Sequence, residues 1–154
     1  MIQKYELKKL RAHDVTERLK SAIREYLKFH TMIEPKPQRV RLSRRKGFNL
    51  QEASFELNRL PAVNCARPSI YGNPFIVGKH GDTAKCVDLF RKLCAGFLCI
   101  SVDADCIAAQ KRFIAKAVPK IKAGELRGKN LACFCQLSKP CHCDVLLDIR
   151  NGCQ

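Results

Sequence analysis

Four cysteines and one histidine crowd into the eleven residues from Cys133 to Cys143, in a chain with ten cysteines and four histidines in all. Thiolate and imidazole are ligands that zinc favours, and a thiolate is also a strong nucleophile. The stretch NLACFCQLSKPCHCDVLLD, residues 130–148, therefore admits three kinds of chemistry. The first is a zinc site made by Cys133, Cys135, Cys141 and either His142 or Cys143. The second is a reactive loop in which Cys141, His142 or Asp144 acts on a bound ligand. The third is a set of buried thiols that only pack.

These residues need elements to hold them. NLACFC reads as a strand over 130–135, and a period of two turns Cys133 and Cys135 to one face. Pro140 stops the loop, and Val145, Leu146, Leu147 and Ile149 carry a helix inward, with Gly152 as its C-cap. Cys141 then sits at a helix N-terminus, where the macrodipole and free N–H groups favour a thiolate or a bound anion.

A second constellation lies at ARPSIYGNPF, residues 66–75. A second strand over 62–66 runs into a loop with two prolines and a Gly-Asn-Pro turn, so its backbone is tightly specified. Arg67 can clamp an anion with two parallel hydrogen bonds. Asn73 can read a base or ribose edge, and Tyr71 or Phe75 can stack on a ring. Upstream, RVRLS alternates as a half-buried strand over 39–43, with Val40 and Leu42 inward and Arg39 and Arg41 on a basic outer face. The RRKG turn that ends it places Arg44 and Arg45 where cations and backbone N–H groups can meet a phosphate.

The remaining elements are helical. Residues 48–59 hold a short helix. Asp82 caps a helix whose inner face is Cys86, Leu89, Phe90, Leu93 and Phe97. Leu98 to Val102 reads equally as a strand or a linker. Asp103 or Asp105 starts a further helix with Ile107, Phe113, Ile114, Ala117 and Val118 inward, interrupted at Pro119. At the N-terminus, Asp14 caps a helix with Val15, Leu19, Ile23 and Leu27 in one stripe, and residues 2–11 form a shorter one. Pro35 and Pro37 mark a linker.

The charge is uneven. Of a net +15, the run from Lys36 to Lys46 supplies +6, and that from Lys111 to Lys129 another +6. Clustered positive charge predicts attraction to a phosphate-bearing ligand or nucleic acid. No apolar run is long enough to span a bilayer and the N-terminus is no secretory signal, so a cytoplasmic, reducing setting without membrane contact is expected. There the cysteines are core residues, ligands or reactive thiols rather than a disulfide framework.

In order, RVRLSRRKG, ARPSIYGNPF and ELRGKNLACFCQLSKPCHCDVLLDI resemble an uncharacterised bacterial and phage family, domain of unknown function 4326, over about residues 38–149. The resemblance implies that Arg67, Gly72, Asn73, Pro74, Cys133, Cys135, Cys141, His142 and Asp144 occupy the family's motif positions. Phe134 stands where the family often has tryptophan. Cys143 stands where it usually has a small residue, which shifts a metal site onto His142. The family implies no activity.

The expected fold is α/β: a helical basic extension over 1–37, then one small domain over 38–154 with a mixed or parallel sheet and packed helices. Three functions follow. The domain binds or acts on a nucleotide, nucleoside or nucleic-acid base; or it is a basic nucleic-acid-binding module with a structural zinc; or it is a phage accessory or structural protein without catalysis.

Overall fold

The structure is a computed structural model that describes residues 15–26, 35–100 and 102–150. The chain divides into two units, Met1–Pro35 and Lys36–Gln154. In the first, residues 15–26 are helical (α1). Glu17 pairs with Lys20 at 2.9 Å on its surface. Its apolar residues Val15, Leu19 and Ile23 are exposed. The expected cap at Asp14, the helix over 2–11, Leu27 and the C-cap at Gly152 lie outside the described residues.

The second unit runs β1 (Arg39–Arg41), α2 (Leu50–Asn58), β2 (Ala62–Asn64), α3 (Thr83–Cys94), α4 (Ala104–Lys122), β3 (Asn130–Cys133) and α5 (His142–Arg150). The sheet has three strands in the order β1-β3-β2, all parallel. Val40 pairs with Ala132 and Asn64 also with Ala132, so β3 is the middle strand. All four β3 residues are buried, as a strand covered on both faces requires.

The start of β3 is fixed by a polar hub. Asn130 is fully buried, donates to Ser54 Oγ at 2.8 Å and Asn58 Oδ1 at 2.7 Å, and accepts from the Gln38 N–H at 2.7 Å. That satisfies an amide which would otherwise be costly to bury, and it ties the start of β3 to α2 and to the residue before β1. Three helices start on a side-chain cap: Asn49 for α2, Asp82 for α3 and Asp103 for α4. The core gathers Phe90, Leu93, Phe113, Leu126, Leu131, Val145 and Leu146, with Phe90 edge-on to Phe113 at 5.1 Å.

Two expectations change, and the strand-or-linker alternative at 98–102 is decided for the linker over the described residues. α3 ends at Cys94, so Phe97 falls past the helix and is exposed rather than inward. Pro119 does not interrupt α4, which runs to Lys122. The carbonyl it leaves unpaired, on Ala115, is at an exposed position where water can take the bond. Residues 97–100 form neither strand nor helix. Their backbone is pinned instead by buried Gln110, whose amide exchanges two bonds with Cys99, at 2.8 and 2.9 Å. Among the described residues, no helix is long and apolar enough to cross a membrane, and the cysteines are free thiols.

Candidate functional site

Because the strands are parallel, their carboxyl ends lie on one edge of the sheet, the usual place for a ligand in an open α/β fold. Beyond β3 the chain passes Phe134 and Cys135 and loops back to α5. Arg39 holds that loop. Its Nη2 donates to the carbonyls of Gln136 at 3.1 Å and Leu137 at 2.5 Å, and its Nη1 pairs with Asp144 Oδ2 at 2.6 Å. Asp144 Oδ2 also accepts the Cys141 N–H at 3.1 Å, capping α5 from within its first turn. Arg39 therefore does not sit on a solvated outer face: its side chain is only 7% exposed.

This clamp sets sulfur and imidazole side by side. His142 is buried edge-on against Phe90 at 5.5 Å. Its Nε2 lies 2.8 Å from the Cys65 carbonyl, which can only accept, so the ring hydrogen is there and Nδ1 faces the sulfurs of Cys133 and Cys141, while Cys143 Sγ lies 3.8 Å from Nε2. Nδ1 is 3.6 Å from Cys141 Sγ and 4.0 Å from Cys133 Sγ. The ligand atoms of Cys133, Cys141, His142 and Cys143 all lie within 4.8 Å of one another, and all four residues are buried. Cys135 Sγ is 3.5 Å from Cys133 Sγ but falls outside that group.

The electrostatics favour ionised sulfur at Cys133 alone. The Cys133 thiol is pushed far down, chiefly by thiols of Cys141 and Cys143 that donate to it, with His142 adding and burial opposing. Cys141 is raised because it supplies a donor to Cys133, and Cys143 is raised well above the ordinary range for the same reason. Burial and the neighbouring sulfur charge push Cys135 up to about 12. For His142 burial acts downward, but the bond and charge from Cys133 outweigh it and raise the imidazole. The cluster thus settles one thiolate, on Cys133, and the raised thiols of Cys141 and Cys143 would release their protons on binding a metal, because ligating thiols must be deprotonated.

A cavity of about 340 Å³ opens above the cluster. Cys133, Cys135, Cys141 and His142 line it together with Arg67, Asn73, Arg44 and Phe134. Asn73 and His142 thus share one cleft. The 67–75 loop is built for stiffness. Asn73 donates to the Cys86 carbonyl at 3.0 Å and accepts the Phe75 N–H at 2.9 Å. Gly72 has no room for a side chain: a Cβ there would lie 2.9 Å from Arg67 Cγ and 3.0 Å from the Ser69 oxygen.

Three expectations about the site are corrected. Tyr71 offers no stacking face; it is buried, and its hydroxyl donates to Glu125 at 2.7 Å. Asp144 does not line the cavity, because Arg39 and the Cys141 N–H hold its carboxylate. The mutually close metal-ligand group takes Cys143 in place of Cys135. The reason is backbone geometry: β3 ends at Cys133, so the period-two argument no longer governs Cys135. Arg45 lines a separate groove beside Arg44 and Phe134 rather than the cavity. Sequence reasoning missed Arg39 as the clamp, and no local pattern distinguishes it from Arg41 on the same strand.

A family model described as Domain of unknown function (DUF4326) matches residues 40–152. The chain belongs to that family. No curated protein and no solved structure matches it. In this member of the DUF4326 family the matched span takes in the clamp's acceptors, the Arg67–Asn73 loop and the whole Cys/His cluster. The cluster can hold a metal ion.

Proposed function

We propose that this domain binds a nucleotide-class ligand in the cavity at the carboxyl ends of its strands, and that Cys133, Cys141, His142 and Cys143 hold zinc beneath it. The observation that carries the reading is a shared cleft, in which arginines that follow two strands line the same cavity as sulfur and imidazole. Arg67 and Arg44 would take the phosphate. The N–H of Cys141, just before α5, would not, since Asp144 already accepts it. Phe134, 41% exposed, would meet a base.

The donor set suits zinc in type: soft thiolates with one imidazole whose far nitrogen is fixed by a carbonyl. With Zn–S about 2.3 Å and Zn–N about 2.0 Å, tetrahedral ligands lie roughly 3.5–3.8 Å apart. The His142–Cys141 and His142–Cys133 separations of 3.6 and 4.0 Å are close to that. Bound there, zinc would tie the end of β3 to the start of α5 and stiffen the cavity lining.

A second reading is favoured by the same imidazole. With Nδ1 beside Cys141, the pair has the form of a thiol nucleophile and its base. Metal content of protein purified without chelator separates the two. Near one zinc per chain, lost with the fold in Cys133→Ser, supports the zinc reading. Metal-free protein whose Cys141 is alkylated, and protected by a nucleoside monophosphate, supports the thiol reading. Loss of monophosphate binding in Arg67→Ala is expected under both, and retention would remove the cleft from the account.

A further inference from the structure

Beside the cavity lies an open groove of about 740 Å³ lined by Arg41, Arg44, Arg45 and Lys46 together with Phe48 and Phe134. No acidic residue lines it, and among the described residues none of these cations is paired with a carboxylate. The turn that carries them is fixed rather than loose. Phe48 packs against the core and its N–H bonds the Arg45 carbonyl at 3.2 Å, while the Arg45 N–H bonds Ser43 Oγ at 3.1 Å. Arg44 lies over the Phe134 ring at 4.6 Å. Arg44 and Phe134 line both the groove and the cavity, so the two adjoin at these side chains.

We infer that the ligand is single-stranded nucleic acid: the groove carries the sugar–phosphate backbone, Phe134 stacks a base, and the neighbouring base enters the Cys/His cavity. This rests on reading that cavity as a nucleotide site and names its substrate class. A free nucleotide has no use for a groove of cations beside the pocket, whereas a strand offers one phosphate per nucleotide for them to neutralise. An exposed aromatic ring beside such a groove is how single strands are held irrespective of sequence. Bases paired in a duplex can neither stack on Phe134 nor enter a cavity, so a duplex can use the cations alone.

The test is fluorescence anisotropy of the full chain with a labelled oligonucleotide of about 20 nucleotides, as single-stranded DNA, single-stranded RNA and duplex DNA, set against nucleoside monophosphate titrations. Either single strand should bind at least about tenfold tighter than the duplex and lose affinity as salt rises. The two single strands show which sugar is preferred. Arg45→Glu with Lys46→Glu, folded by circular dichroism, should weaken the oligonucleotide about tenfold or more and the monophosphate far less. Phe134→Ala should weaken the single strand at least about fivefold. Single-strand affinity equal to that of the monophosphate or the duplex, or indifference to both sets of changes, overturns the inference while leaving the cavity reading intact. Monophosphate binding that ignores Arg67→Ala would instead count against the cavity reading alone.

Discussion

Replacing Arg39 with methionine keeps most of the volume and removes the clamp on the Cys/His loop. Two guanidinium bonds to carbonyls are lost, each worth about 1.5–3 kcal/mol because the donor is charged. The lower end applies, since the freed Gln136 and Leu137 carbonyls can turn to water, which gives about 3 kcal/mol for the two. The Asp144 pair adds at most about 1 kcal/mol, because Asp144 is 46% exposed and solvent screens it. Against this, Arg39 Nε is buried with no partner, and removing it recovers about 1–2 kcal/mol. The net loss is about 2 kcal/mol, or a fall in Tm of about 6–10 °C for a domain of this size. A thermal melt reads it, and alkylation of Cys135 should quicken as the loop loosens. Asp144→Asn keeps an acceptor for both Arg39 and the Cys141 N–H, so it should cost less than half as much. An unchanged melt in Arg39→Met, or equal losses in the two variants, would refute the reasoning.

Other outcomes follow from the same geometry. Cys143→Ser should lose bound metal, whereas Cys135→Ser should keep it, since only Cys143 is in the mutually close set; metal content per chain decides. Gly72→Ala forces a Cβ against the Ser69 oxygen and Arg67, so it should cost about 1–3 kcal/mol by melting and weaken monophosphate binding. Burial pushes the Cys94 thiol from 9.0 to about 12, with Arg91 opposing. Its contribution to stability is then complete below pH 9.0 and lost as pH rises towards 12, because the unfolded chain ionises first. Cys94→Ala should flatten that alkaline decline in Tm, and an equally steep decline would contradict the assignment.

The sequence made the scaffold legible wherever the signal was local. Alternation located β1, and Asn130 onward located β3; Asp82 and Asp103 marked helix starts because a cap is a contact between near neighbours. The Cys/His cluster was visible for the same reason: its ligands lie within eleven residues of each other. What it hid was long-range. Arg39 and Asp144 are 105 residues apart, and nothing in RVR tells which arginine reaches them. Cys143 displaced Cys135 because a strand ended two residues early, and boundaries are weakly encoded. Tyr71 looked available for stacking until Glu125, 54 residues on, took its hydroxyl.

The most direct test of the central claim is amide shift mapping of the labelled protein titrated with a nucleoside monophosphate. The account predicts saturable shifts gathered at Arg44, Arg67, Asn73, Phe134, Cys135 and His142, around the cavity. The same nucleoside without its phosphate should give much weaker shifts. Shifts centred elsewhere, or equal with and without the phosphate, would contradict it.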